Sequence, residues 1–175
     1  MTRLSAGCSD SGEVTSAMRA PCEGPLRISD VTRTLGDMHI VLAANPQAEQ
    51  PWVTDAVADL VRQTGASVMV VAVDELESEY LSPMPRSVYT ERAEHAAEVA
   101  VRRLAEAGIE ASRTVLPGRA AEQIIRFASD QKADLIVLGS SVRPVVAQRL
   151  LGSVPLTLIE KAGRPVLVVT RPVNG

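Results

Sequence analysis

From residue 39 onward, the chain alternates between short continuous apolar runs and longer stretches in which apolar residues recur every three or four positions. Continuous apolar runs of four to eight residues are typical of parallel strands that are covered on both faces. The recurring pattern predicts helices with one buried face. The runs predict five strands, at 39–44, 67–73, 109–116, 135–138 and 165–170, and the spacing predicts helices at 51–64, 89–107, after Gly118, and at 154–162.

Strands that alternate with helices in this way predict an α/β fold, with a five-stranded parallel sheet wound on both faces. Such sheets bind ligands beyond the carboxyl ends of their strands, at the point where the winding direction reverses. We therefore expect Asn45, after the first strand, to face Gly139, after the fourth.

The segment from Gly139 to the fourth helix has the residues of an anion site. Gly139 permits a sharp turn and a close approach to the backbone, because it lacks a Cβ. Gly152 and Ser153 directly precede the helix, Ser153 as its expected N-cap. Free N–H groups at a helix start favour negative charge, most often phosphate. The alternative is an ordinary strand-to-helix turn that binds nothing.

Residues 1–37 differ from the remainder of the chain. They are rich in Ser, Thr, Gly and charge and have no sustained period. They predict a flexible or loosely docked N-terminal segment, followed by one domain over residues 38–175.

Cys8 and Cys22 lack metal-ligand spacing and are expected to be reduced thiols. The acidic stretch 74–87, with its two prolines, predicts an exposed connection.

Composition narrows the class of protein. A chain of 175 residues with 46% hydrophobic content can bury one sizeable core. A net charge of −3 argues against a general nucleic-acid surface. No apolar run is long enough to span a bilayer, and the N-terminus lacks the apolar core of a signal peptide. We expect a cytoplasmic protein without membrane insertion.

Residues 39–170 resemble a universal stress protein domain. Nucleotide-binding members of that family carry glycine, two residues, glycine, nine residues, then glycine followed by serine or threonine. Gly139, Gly152 and Ser153 match this motif with its spacing intact, and Val142 stands in place of the second glycine. The resemblance implies a Rossmann-like sheet with strand order 3-2-1-4-5. It also implies an adenine nucleotide as ligand: ATP, AMP, cyclic AMP or cyclic di-AMP, with or without Mg²⁺.

The resemblance also implies which residues bind the nucleotide. Asn45 stands where the family has an acid near the ribose, and it keeps hydrogen-bonding capacity without charge. Val142 costs energy if its position needs a positive φ or close phosphate approach, and in an extended conformation it lines an altered pocket. Arg143 and Arg149 either restore charge to the loop or only solvate a surface. The implied set is Ala43, Asn45, Val73, Leu138, Gly139, Ser141, Val142, Gly152, Ser153 and Val154.

Two hypotheses for function remain open. The first is a non-catalytic regulatory module that senses an adenine nucleotide. The second is a nucleotide-independent interaction protein, for which the loop starting at Ser141 suggests a link to cation/proton antiport, because it is similar to loops of antiporter-attached family members. No nucleophile, base and orienting group can be assembled from the sequence, so we predict no enzyme, although slow ATP hydrolysis is compatible with the site.

The two histidines and the single tryptophan are expected to have structural roles. His39 and His95 are expected to be hydrogen-bonded or solvated rather than catalytic. Trp52 is expected to pack at a helix start rather than stack on a base.

The fifth strand, 165–170, is apolar and lies at a sheet edge, which favours association with other chains if the edge is uncovered. The resemblance implies that two copies pair through this edge as a homodimer. A protein partner is a further expectation.

Overall fold

The computed structural model describes residues 38–75, 85–140 and 154–172, all within one compact unit that spans residues 33–175. Residues 1–37 lie outside the described part, so the predicted division at residue 38 stays a prediction. The elements are β1 (His39–Ala44), α1 (Pro51–Thr64), β2 (Ser67–Asp74), α2 (Arg86–Glu106), β3 (Ala111–Pro117), α3 (Ala120–Asp130), β4 (Leu135–Gly139), α4 (Val154–Lys161) and β5 (Val166–Val169).

The five strands form one parallel sheet in the order β3-β2-β1-β4-β5, which confirms the predicted fold and strand order. β1 lies at the centre and pairs with both β2 and β4. The chain therefore winds outward in one direction from β1 to β3 and in the other from β4 to β5. The reversal places the carboxyl ends of β1 and β4 side by side, with Ala43 opposite Leu138.

Each face of the sheet has its own apolar core, because successive strand residues point to opposite faces. Ile40, Leu42 and Val70 pack with α1 and α2, which contribute Val57 and Leu104. The other face packs with α3 and α4 and includes Val41, Val71, Ile136, Ile124 of α3 and Leu158 of α4. Covering both faces explains why the strands read as continuous apolar runs.

Some predicted boundaries and faces differ in the structure. α2 begins at Arg86, three residues earlier than predicted. The prediction that Asp74 belongs to an exposed connection is wrong, because Asp74 is the last residue of β2 and only 4% exposed. In the helix predicted at 154–162, the apolar spacing favours an inward face shared by Leu158 and Ile159, but Ile159 is 60% exposed. An eight-residue helix over the sheet margin buries only a narrow stripe.

α1 shows how the local sequence sets helix ends. Pro51 occupies the first turn, where its missing N–H leaves no bond unmade. Gly65 closes the helix in the left-handed conformation, with φ of 71°, and donates its N–H to the carbonyl of Val61 at 2.7 Å. Of the helices in the described ranges, none is long and apolar enough to cross a membrane.

Candidate functional site

The crevice at the carboxyl ends of β1 and β4 has an apolar wall. Ala43, at the end of β1, and Leu138, near the end of β4, are direct neighbours in the sheet. Val73 of β2 belongs to the same buried cluster, and Val154, the first residue of α4, packs against it partly exposed. The structure thus gathers four of the predicted site residues on one face of the sheet, the face covered by α3 and α4. Three of these side chains are nearly buried, with Ala43 8%, Val73 3% and Leu138 4% exposed.

Asn45 directly follows β1, as predicted. Its Oδ1 accepts a hydrogen bond of 2.9 Å from the backbone N–H of Gln47, two residues further along the same loop. Because Oδ1 already accepts this hydrogen bond, the Nδ2 group is the part of the Asn45 amide that is left to donate to a ligand. An aspartate in this turn would keep a second oxygen, whereas Asn45 offers a neutral donor at the crevice.

Gln50 contacts the predicted site next to Gly139, and the sequence reasoning did not name it. Its Nε2 donates a 3.0 Å hydrogen bond to the carbonyl oxygen of Ser140, just beyond β4. The backbone N–H of Ser140 in turn donates to the carbonyl of Val169 in β5, at 2.9 Å. A Cβ added to Gly139 would overlap the side-chain amide of Gln50. The Gln50 side chain therefore bridges the β1–α1 loop and the end of β4.

Trp52, in the first turn of α1, packs as expected of a helix-start residue. It is partly buried against the core between the sheet and α1–α2. The guanidinium carbon of Arg171 lies 5.8 Å from the centre of its ring, within the range of a cation–π contact. Its Nε1 is buried and has no hydrogen-bond partner within the described ranges. Trp52 is the single tryptophan of the chain and so reports on this end of the sheet.

Asp74 is a second polar residue with long-range contacts that the sequence reasoning did not predict. Its Oδ2 accepts hydrogen bonds from Thr90 Oγ1 at 2.8 Å and from Arg86 Nη2 at 3.2 Å. The buried Oδ1 has no partner among the residues that the structure describes. Asp74 therefore ties the end of β2 to the first turns of α2. Across the described part of the chain, no group of three or more His, Cys, Asp or Glu residues could hold a metal ion.

Two cavities lie beneath the β1–α1 loop on the α1–α2 face, opposite the apolar wall. One, of about 250 Å³, reaches from Asn45 and Gln50 to Ala100 of α2. The other, of about 630 Å³, runs from Asn45 to the first half of α2 and contains Glu49 and His95. Asn45 borders both cavities, so the loop after β1 has open space on the side away from β4.

The two histidines lie in different parts of the structure, and the ring of each has one polar neighbour among the described residues. His39, at the amino end of β1, forms a hydrogen bond of 2.5 Å between its Nδ1 and Ser67 Oγ. This bond lies at the amino ends of the strands, opposite the carboxyl ends where the crevice is. His95 is exposed on α2, with its Nε2 3.7 Å from Glu49 Oε1. Both placements agree with the expectation of satisfied or solvated histidines.

One ion pair joins the two helices on the α1–α2 face. Arg103 Nε and Nη2 donate to the two carboxylate oxygens of Asp55 at 2.6 and 2.8 Å. These hydrogen bonds lower the pKa of Asp55, and the same bonds raise the pKa of Arg103. The pair holds α1 against α2 in a bidentate geometry.

The predicted site also includes residues of the loop between β4 and α4. Ser141, Val142, Gly152 and Ser153 lie outside the described residues, as do the two loop arginines at 143 and 149. Their assignment to phosphate binding stays a prediction. The described part of the site comprises the apolar wall, Asn45, Gly139 and the Gln50 bridge.

Comparison with known proteins identifies a family. The model of the "Universal stress protein family" matches residues 38–170. Universal stress protein MJ0577 of Methanocaldococcus jannaschii is 31% identical over 107 residues, which cover 61% of this chain and 63% of that protein. The matched region therefore spans somewhat less than two thirds of this relative.

Solved structures share the fold. A universal stress protein in complex with cAMP superposes with a TM-score of 0.59 at 19% identity, over 78% of this chain and 98% of that one. The universal stress protein from Archaeoglobus fulgidus in complex with dAMP gives 0.55 at 24% identity, over 75% and 96% of the two chains. At these identities the likeness establishes the sheet and its helices.

Proposed function

Because this chain belongs to the universal stress protein family, we propose that it is a non-catalytic regulatory module that binds an adenine nucleotide in the β1/β4 crevice. The observation that carries the proposal is the apolar wall of Ala43, Val73 and Leu138 at the strand ends where the winding direction reverses. An adenine ring is planar and largely apolar on its faces, so it matches such a wall. The glycine motif that would bind the phosphates begins at Gly139, at the end of β4.

The ligands of similar proteins support an adenine nucleotide. One neighbour was solved with cAMP and another with dAMP, which share the adenine base and a phosphate ester. In this chain, Gly152 and Ser153 precede α4 and supply the N–H groups and hydroxyl that such a phosphate needs.

Ligand-induced stabilisation tests the proposal. Thermal unfolding is measured with ATP, AMP, cyclic AMP and cyclic di-AMP, for wild type, for Gly152→Val and for the control Ala105→Val on the exposed side of α2. A nucleotide at one hundred times its dissociation constant adds about 2.7 kcal/mol of stability. We expect this gain in wild type and Ala105→Val and its loss in Gly152→Val. No stabilisation of wild type by any of the four nucleotides contradicts the proposal.

A specific surface favours the second function, partner interaction. Leu156 and Ile159 of α4 and Leu167 of β5 are large apolar side chains exposed by 61%, 60% and 41%. They lie on or beside β5, the last strand in the sheet order, which pairs with β4 alone among the described strands. We propose a homodimer that pairs through residues 165–170 and covers this edge.

Sedimentation of wild type and of Ile159→Asp tests the dimer. The charged side chain lies at an exposed position, so the fold tolerates it, but burial in an interface does not. We expect a dimer for wild type and a monomer for Ile159→Asp. The control is Glu94→Gln, an exposed change on α2, away from this edge. A wild-type monomer at high concentration contradicts the dimer. Dimerisation without any nucleotide effect favours the interaction function alone.

A further inference from the structure

The side chains of α1 and α2 leave a gap between the two helices. This gap is the cavity of about 250 Å³ that begins at Asn45. Leu42 and Ala44 of β1 line it from the sheet. On α2, the residues that line its middle are Ala96, Val99 and Ala100. Because these side chains are small, they do not reach across to α1, and the space between the helices stays open.

Thr54 of α1 is a buried polar residue on the wall of this cavity. It is 6% exposed, and within the described ranges its hydroxyl has no hydrogen-bond partner. Other threonine hydroxyls are bonded, since Thr64 Oγ1 donates to the Leu60 carbonyl and Thr90 Oγ1 to Asp74 Oδ2, both at 2.8 Å. A buried hydroxyl without a partner is unfavourable. The Thr54 hydroxyl is therefore available to a polar atom of a molecule that enters the cavity.

The charged groups around the cavity lie at its rim. Glu49, Arg102 and Glu106 line it but are exposed. Arg103 is already paired with Asp55 through hydrogen bonds of 2.6 and 2.8 Å. Apart from the threonine, the buried residues of the lining are apolar. An ionised group inside the cavity would have no buried counter-charge, so the lining favours an uncharged ligand.

We propose that this cavity binds a small uncharged ring molecule with one hydroxyl or carbonyl oxygen, and that Thr54 bonds to that oxygen. An apolar cavity of about 150 Å³ is enough for benzene. A volume of about 250 Å³ therefore admits a six-membered ring with a short substituent. The small apolar side chains contact the ring, and the hydroxyl of Thr54 orients it. The site does not depend on nucleotide binding, because the residues that carry it belong to α1, α2 and the face of the sheet beneath them.

Phenol and toluene are the probes. They have nearly the same size, but phenol carries a hydroxyl where toluene carries a methyl group. Each is titrated into the isotope-labelled full chain, and the dissociation constant is measured from the chemical shifts of backbone amides and side-chain methyl groups. We expect both probes to bind wild type and to shift resonances of residues around the cavity.

Thr54→Val isolates the contribution of the hydroxyl. Valine has nearly the shape of threonine but cannot form the hydrogen bond. The affinity for phenol should fall roughly threefold to tenfold, as for the loss of one hydrogen bond, whereas the affinity for toluene should not fall. The melting temperature of the free protein should not fall either. The control is Thr64→Val, which removes a bonded hydroxyl outside the cavity and should lower the melting temperature with both affinities unchanged.

Ala96→Leu tests where the probes bind. Ala96 lines the cavity and is partly exposed, so a larger side chain can enter the space without displacing the buried core. We expect both affinities to fall more than tenfold. Ala105→Leu adds the same side chain on the exposed side of α2 and should leave both affinities unchanged.

Three results would overturn the proposal. The first is the absence of any shift in wild type with both probes at millimolar concentration, which leaves a cavity that holds only water. The second is an equal loss of phenol and toluene affinity in Thr54→Val. The third is unchanged binding in Ala96→Leu, which places the probes elsewhere on the protein. If Ala96→Leu does not fold, the comparison of the two probes in Thr54→Val still decides.

Discussion

Leu158 anchors α4, and its truncation should be costly. It is the only side chain of this helix buried within the described residues, with 0% exposure, and it packs between the helix and the sheet. Leu158→Ala removes a buried side chain and leaves a cavity, which costs about 3 kcal/mol. For a domain of this size the melting temperature falls by about 10 °C. Because α4 follows Gly152 and Ser153, nucleotide affinity should fall as well.

The control for this prediction lies two residues away. Leu156 is on the same helix but 61% exposed, so Leu156→Ala should change stability by less than about 0.5 kcal/mol. Urea unfolding, followed by the fluorescence of Trp52 and by circular dichroism, measures both variants at a protein concentration where wild type is monomeric. The reasoning is refuted if Leu158→Ala costs less than about 1 kcal/mol, or if the two variants are equally destabilised.

Three further substitutions test other contacts by the same unfolding measurement. Asp74→Ala leaves the Thr90 hydroxyl with only its long contact of 3.5 Å to the Arg86 carbonyl and should cost about 1–3 kcal/mol. Asp74→Asn keeps an acceptor and should cost less; equal costs would contradict this account. Gly65→Ala places a Cβ at φ of 71° and should cost about 1 kcal/mol, and a neutral result would be at odds with the left-handed cap. A double-mutant cycle of Asp55→Ala and Arg103→Ala should give a coupling below about 1 kcal/mol at pH 7, because both side chains are about half exposed. Since the pair lowers the pKa of Asp55 below its ordinary 3.8, the coupling is complete above that pH and is lost as the pH falls through the lowered pKa. A coupling that does not weaken as the solution is acidified would refute the assignment.

The sequence by itself determined the architecture. Buried parallel strands need apolar residues towards both faces, and this requirement left continuous runs such as that around Val70, which can be read without a structure. Helices that cover the sheet need one apolar face, and the spacing of Val53 and Val57 predicts it. The order of strands and helices then places the ends of β1 and β4 together. The order alone did not single out Ala43, Val73 and Leu138, which were implied as site residues by the family resemblance; the structure places all three in one buried cluster.

Only the tertiary structure decided the polar contacts between distant elements and the exposure of side chains at the edge of the sheet. Nothing local marks Gln50, because the carbonyl that it holds at Ser140 is 90 residues away. Asp74 looked like part of an acidic loop, and only the packing of α2 over the end of β2 buries it. Ile159 fits a helical apolar stripe, but α4 covers the sheet margin and leaves that side chain exposed. The spacing of apolar residues predicts which face of a single helix or strand is buried. Hydrogen bonds between elements that are distant in the sequence produce no such pattern, so they can be identified only from the folded structure.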